Sequence, residues 1–273
     1  MKTVKLPSGE RVPALGQGRW YLEENRAARA EELATLRLGL DLGLALIDSA
    51  EMYGDGLAET LIGEAIEGRR DEVFLVSKVY PHNAHHQGAA AACERSLRRL
   101  KTDRLDLYLL HWRGSIPLEE TLDAFDALKR AGKIRNFGVS NFDVDDMEEL
   151  TSLPRGSSVA TNQVLYNLTR RGIEYDLLPW LRERNIPTMA YSPIEQGRML
   201  KHRALQSVAA GAMPAQIALA WLLRQDDVIV IPRTGTREHV RENRAALDLE
   251  LTDQDELNRA FPPPTEPRPL EML

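Results

Sequence analysis

Leu105-Asp106-Leu107-Tyr108-Leu109-Leu110, running straight into His111, sets the reading of this chain. A short apolar run bounded by amphipathic stretches reads as a strand buried on both faces of a parallel sheet. The same arrangement recurs upstream. Val73-Phe74-Leu75-Val76-Ser77 runs into Lys78, and Leu44-Ala45-Leu46-Ile47 runs into Asp48, with Tyr53 shortly after. Groups at the carboxyl ends of such strands converge on one face of an α/β barrel, where its chemistry is done. An acid, a phenol, an ammonium and an imidazole gathered there make a proton-transfer site.

Outward from these runs, strand-like and helical patterns alternate along the chain. Strands are expected at residues 15–18, 45–48, 73–78, 105–111, 134–140, 160–163, 188–191 and 228–231. Helices are expected at 27–42, 58–67, 89–100, 118–131, 143–150, 175–184 and 214–224, with a last pair at 238–246 and 253–260. Residues 3–12 read as a hairpin turning at Pro7-Ser8-Gly9-Glu10 and plugging one end. Strand–helix alternation of this kind predicts α/β architecture: a single (α/β)8 TIM barrel over residues 1–273, with an N-terminal β-hairpin and an extra C-terminal helix. The rival is an open doubly wound sheet. It would carry an early glycine-rich fingerprint, and Leu15-Gly16-Gln17-Gly18-Arg19-Trp20 lacks its third glycine.

Bulk properties narrow the class. The 273 residues suit one barrel, and 43% hydrophobic with 28% charged residues is ordinary for a globular protein. A net charge of −6 argues against a nucleic-acid partner, whose footprint is basic. No apolar stretch approaches the roughly 20 residues that cross a bilayer, and the N-terminus has no apolar signal core. A cytoplasmic monomer without a membrane partner is therefore expected. The single Cys93 excludes an intramolecular disulfide and a cysteine-rich metal site. His82, His85 and His86 read as loop and helix faces, so no metal is expected.

The four strand-end groups form a coherent chemical set. An unperturbed phenol has a pKa near ~10, and a cation held close to it favours the phenolate. Lys78 supplies that cation, Asp48 keeps Lys78 charged, and His111 donates to or orients the oxygen that Tyr53 protonates. Singly each residue is ordinary: an aspartate after a strand often caps a helix, and a lone histidine is more often structural than catalytic. Their joint placement carries the functional reading. Two rivals stand beside it. One is a Schiff-base lyase using Lys78 as nucleophile, which leaves Asp48 unexplained. The other is a non-catalytic cofactor-sensing barrel subunit.

Ile47-Asp48-Ser49-Ala50-Glu51-Met52-Tyr53-Gly54 resembles the Asp-Thr-Ala-x-x-Tyr-Gly signature of aldo-keto reductases, with Ser49 in place of threonine. Val76-Ser77-Lys78-Val79-Tyr80 and Leu109-Leu110-His111-Trp112 resemble the family's lysine and histidine blocks. Gly138-Val139-Ser140-Asn141-Phe142, Asn162-Gln163, Ala190-Tyr191-Ser192-Pro193 and Ile231-Pro232-Arg233 resemble its cofactor blocks, in family order. The resemblance covers essentially the whole chain. It implies a reductase that moves hydride from a nicotinamide to an aldehyde or ketone, with Tyr53 as general acid, Lys78 and Asp48 tuning it, and His111 orienting the carbonyl.

The resemblance also implies the binding residues. Cofactor contacts are expected at Gly18, Arg19, Trp20 and Asp48. Tyr191 would stack on the nicotinamide, Ser140, Asn141 and Gln163 would fix its carboxamide, and Ser192 and Pro193 would begin the pyrophosphate loop. Arg233 and Thr234 match the 2′-phosphate contacts, and Glu242 and Asn243 the adenine contacts. His239 stands where many NADPH-preferring members have arginine, and a histidine is mostly neutral at pH 7.5, which weakens the phosphate clamp. Arg237 compensates if its side chain turns inward. The expected cofactor is NADPH, with some NADH use. Trp20, Tyr80 and Trp112 are expected to wall an apolar substrate cleft around His111. The long covering tail of mammalian members is absent and the 192–214 segment is short, so an open pocket for small carbonyls resembling methylglyoxal is expected.

Overall fold

Residues 1–20, 26–208, 211–251 and 254–273 are described by the computed structural model. The apolar runs become the strands of one parallel sheet. β3 (Gln17–Gly18), β4 (Leu46–Asp48), β5 (Phe74–Val79), β6 (Leu105–Leu110), β7 (Ile134–Ser140), β8 (Asn162–Leu165), β9 (Thr188–Tyr191) and β10 (Val228–Val230) lie side by side in chain order. A parallel bridge between Leu15 and Val230 joins the first strand to the last. The Gly16 N–H donates to the Val230 carbonyl at 2.8 Å, and the Val230 N–H to the Ala14 carbonyl at 2.8 Å. These bonds close the sheet into a barrel, so neither edge is left unpaired.

Helices α1 (Arg26–Asp41), α2 (Leu57–Ala65), α3 (His86–Leu100), α4 (Leu118–Arg130), α5 (Val144–Ser152), α6 (Leu177–Glu183), α7 (Arg203–Ser207) and α8 (Pro214–Leu223) occupy the crossovers between strands, with α9 (Arg237–Ala245) and α10 (Gln254–Ala260) after the last strand. The expected helices are present within a few residues. α7 is an addition in the stretch expected to be loop; it buries little beyond Leu205, so it leaves no apolar period to read. The expected start of the last helix, Asp253, lies outside the described residues.

The hairpin is present as β1 (Thr3–Lys5) and β2 (Arg11–Pro13), with Val4 paired to Val12. Its turn closes with the Gly9 N–H on the Leu6 carbonyl, and Gly9 has φ +89°, a conformation open to glycine. Val4, Leu6 and Val12 are buried, while Glu10 takes a hydrogen bond from Asn136 near the start of β7. The hairpin therefore plugs the amino-terminal end and leaves the carboxyl-terminal end open to chemistry.

Register decides what that open end presents. Directly paired residues of adjacent strands share a face. Asp48 pairs with Val76, Lys78 with Leu109, Ser140 with Gln163, and Gln163 with Met189. Gln163 Nε2 on β8 donates to Asp48 Oδ1 on β4 at 2.9 Å, a contact that spans the barrel interior and marks that face as the inner one. Leu46, Val76 and Leu107 fill the same face one layer deeper with no exposure. The barrel is a packed core topped by a polar layer.

Candidate active site

Lys78 is the centre of that polar layer. Its side chain is fully buried at the end of β5, and its ammonium donates to both Asp48 oxygens at 2.8 Å, to the Ser49 carbonyl at 2.7 Å and to the Tyr53 hydroxyl at 3.3 Å. A buried charge persists when it is paired and its donors are satisfied, which these contacts achieve. Tyr53 begins a tight turn, Tyr53–Gly56, in which Gly54 and Gly56 take positive φ. That turn folds the phenol back over the ammonium, with Lys78 Nζ 4.8 Å from the ring centroid. His111 follows β6, and its ring meets Tyr53 edge-on at 5.6 Å between centroids. The structure thus brings together all four strand-end residues.

Their electrostatics correct one expectation. Burial, reinforced by the Asp48 carboxylate, pushes the Tyr53 phenol well above its ordinary value rather than below it. The Lys78 charge is largely answered by Asp48 at closer range, so it does not overcome desolvation of the phenolate. Tyr53 accordingly keeps its proton throughout the physiological range. Burial pulls Lys78 down, opposed by Asp48 and by the buried Glu59 carboxylate, which itself holds Ser77 and Arg99. His111 is pushed down to about 2 by burial and by the Lys78 charge. It is a neutral imidazole, and its Nδ1 is buried without a partner.

Two results follow for pH. Neither Tyr53 nor His111 titrates between about pH 5 and about pH 8, so kcat/KM for a carbonyl substrate should be flat there. A limb near about 6.5 that disappears in His111→Asn would contradict this. For stability the sign is fixed by the unfolded chain, whose histidine protonates near ~6.5 while the folded one stays neutral. His111 contributes stability that is complete above that value and is lost as pH falls toward about 2.

The polar layer continues around the rim. Ser140 Oγ donates to the Gln163 carbonyl at 2.9 Å, and Asn141 Nδ2 donates to the His111 carbonyl at 3.1 Å. Asn141 sits at φ 57°, a left-handed conformation that asparagine tolerates better than most residues. The half-buried Tyr191 donates its hydroxyl to Asn141 Oδ1 at 3.0 Å. Burial pushes Tyr191 up to about 12, against a backbone hydrogen bond from Leu273. The C-terminal segment reaches the rim: Glu271 pairs with Arg170, and Leu270 packs on the core. Beyond Tyr191, Ser192 and Glu195 hold positive φ, and the Glu195 carboxylate accepts from Asn167 at 2.9 Å and Arg170 at 3.1 Å. The loop after β9 is thereby fixed in a conformation that costs on the order of 1 kcal/mol per strained residue.

Two of the aromatic residues expected around the carbonyl, Tyr80 and Trp112, lie together beside His111. Tyr80 and Trp112 meet edge-to-face at 5.9 Å, and Trp112 lies 4.9 Å from the His111 ring. Trp20 is 47% exposed. Glu51, unnoticed in the sequence, is buried and accepts from the Tyr80 N–H at 2.9 Å, from Asn83 at 3.0 Å and from Arg95 at 3.1 Å. It anchors the turn that carries Tyr80. His82 stacks on Tyr80, and His85 caps α3 through the Gly88 N–H, which gives both histidines local work.

A profile of the aldo/keto reductase family matches residues 14–258. The chain belongs to the aldo/keto reductase family. It is 49% identical, over all of its length and 99% of the relative, to methylglyoxal reductase YeaE of Escherichia coli. Glyoxal reductase of Bacillus subtilis is 33% identical across 93% of this chain and 90% of its own. A crystal structure of an aldo/keto reductase from Klebsiella pneumoniae in complex with NADP and acetate superposes with a TM-score of 0.96 at 49% identity, covering 100% of this chain and 99% of that one.

Like other members of the aldo/keto reductase family this chain is an oxidoreductase, and its rim suits a dinucleotide. A half-buried ring, a ring of amide and hydroxyl groups and a cationic far end are the three chemistries a nicotinamide nucleotide needs. At the far end Thr236 caps α9 by accepting the His239 N–H, while His239 itself is exposed. Asn243 is buried and the Glu242 carbonyl accepts from Gln216. Gly18 lies so close to the Ile231 carbonyl that an added Cβ would sit 2.8 Å from it. The cations at this end already have protein partners. Arg19 is buried, donating to Glu32 at 2.6 Å and to the Thr234 carbonyl; Arg233 reaches the other Glu32 oxygen at 2.6 Å. Arg237 does not turn inward but pairs with Glu31 at 3.0 Å. Sequence reasoning missed Glu32, because an acid on an amphipathic helix reads as a solvated face.

Proposed function

We propose that this aldo/keto reductase reduces small, reactive aldehydes and ketones of the methylglyoxal type with NADPH, using Tyr53 as general acid. The observation that carries the reading is the Tyr53 hydroxyl 3.3 Å from an ammonium held by both oxygens of Asp48. When bound, the reduced nicotinamide supplies the hydride. Tyr191, Ser140, Asn141 and Gln163 would hold its ring and carboxamide, and Arg233, Thr234, His239, Glu242 and Asn243 its adenosine end.

The residues divide the remaining work. His111, neutral, donates one ring N–H to the carbonyl oxygen and so places it beside Tyr53. Tyr53 passes its proton to that oxygen as negative charge develops there. The phenolate left behind is stabilised by Lys78, whose own charge is retained through Asp48. A pre-formed arrangement of this kind costs no reorganisation at the moment of reaction. Trp20, Tyr80 and Trp112 form apolar walls that exclude water around the reacting carbonyl.

The Lys78 ion pair argues against the Schiff-base alternative, which requires a neutral amine. A sensor would need none of the four groups in this arrangement. Mixing the protein with NADPH and methylglyoxal should give sustained loss of absorbance at 340 nm with multiple turnovers. No turnover across a panel of small aldehydes, dicarbonyls and ketoses would overturn the reading.

A further inference from the structure

Helix α1 is bound to the segment after β10 by three side-chain contacts in one and a half turns, and to Arg19, just after β3, by a fourth. Glu32 bridges Arg19 and Arg233 at 2.6 Å each. Thr35 Oγ1 donates to the Gly235 carbonyl at 3.3 Å, and Glu31 accepts from Arg237 at 3.0 Å. Arg233 in the loop after β10 and Arg237 at the start of α9 are thus each matched by an acid of α1. Glu32 is 5% exposed, whereas Arg233 is 28% exposed.

We propose that the adjacent acids Glu31 and Glu32 are specificity-determining residues for the cofactor, holding down the discrimination between NADPH and NADH by acting as counter-ions to Arg237 and Arg233. The inference rests on the adenosine end lying against this loop, as set out above.

The physics is a competition for one guanidinium. A 2′-phosphate draws on the positive charge of the Arg233 guanidinium, and a carboxylate already at 2.6 Å competes for it. The carboxylate also repels the phosphate directly, in a partly buried setting where screening is weaker. A 2′-hydroxyl meets neither effect, so the acids penalise NADPH alone. Arg19 cannot replace Arg233 in this role, because it is buried, its Nη1 is committed to Glu32 and the Thr234 carbonyl, and its charge is disfavoured by desolvation. Glu31 acts on the exposed Arg237 and is screened by solvent, so its effect is the smaller.

The test compares kcat/KM and Kd for NADPH and NADH in the wild type and three variants. Glu32→Gln should raise the NADPH/NADH ratio about tenfold, through NADPH binding and with kcat unchanged. Glu32→Asp keeps the charge and should stay close to the wild-type ratio. Glu31→Gln, at an exposed ion pair, should fold normally and raise the ratio about twofold, which keeps the test decisive should Glu32→Gln not fold. A purely structural role would lower stability and shift both cofactors alike. A ratio that is unchanged or falls in the glutamine variants, or equal changes for the two cofactors, would overturn the inference. Wild-type protein that binds neither nucleotide would instead overturn the assignment of the site.

Discussion

Replacing Tyr53 by phenylalanine is expected to lower kcat for methylglyoxal reduction by about a thousandfold while leaving NADPH Kd within about twofold of the wild type. The substitution removes one hydroxyl and keeps the ring. The ring's contacts with Lys78 at 4.8 Å and His111 at 5.6 Å can therefore persist, and so can the turn that carries it. What is lost is the one acidic proton positioned beside the carbonyl oxygen. His111 cannot replace it, because a neutral imidazole is a much weaker proton donor than its cation and burial disfavours that cation. Stability should change little, since the Lys78 ammonium loses only its longest bond, at 3.3 Å, and keeps those to Asp48 and the Ser49 carbonyl. Separating binding from turnover distinguishes loss of the proton donor from a collapsed site.

The second large effect is at Lys78. Lys78→Met leaves the Asp48 carboxylate buried at 4% exposure with Gln163 Nε2 as its remaining side-chain donor among the described residues. Removing one partner of a buried ion pair costs about 3–5 kcal/mol, which for a chain of this size lowers the melting temperature by roughly 10 °C. Activity should fall by at least about a hundredfold, because the phenolate formed on proton transfer loses its only adjacent cation among the described residues. The double variant Asp48→Asn/Lys78→Met removes both charges and should recover much of the stability but none of the activity. A single variant as stable as the wild type would show that the pair is not the buried ion pair described here. Recovery of activity in the double variant would show that Tyr53 needs no cation.

Why the sequence revealed some of this and hid the rest follows from the range of the interactions. Asp48, Lys78 and His111 each end an apolar run, and a strand buried on both faces writes itself into consecutive residues. Tyr53 is tied to Asp48 by a short turn. Closure of the barrel by Leu15 and Val230 was legible only as a count of strands, because the bonds join opposite ends of the chain. Glu32 was invisible for the same reason: its partner Arg233 is 201 residues away. Glu51 lies inside the quoted signature, yet its role depends on a turn folding over it. The direction of the Tyr53 shift could not be read at all. It is set by desolvation, a property of everything packed around the phenol, whereas the sequence shows only that a cation is available.

Among the described residues, no helix is long and apolar enough to cross a membrane.

The central claim is that Tyr53 delivers the proton to a carbonyl held by His111. Its most direct test is a single-turnover stopped-flow measurement at 340 nm, with NADPH-loaded wild type and Tyr53→Phe each mixed with methylglyoxal in H2O and in D2O. The account predicts fast absorbance loss and a normal solvent isotope effect in the wild type, and a rate about a thousandfold slower in Tyr53→Phe with NADPH still bound. A Tyr53→Phe rate within about twofold of the wild type, with the same isotope effect, would contradict it.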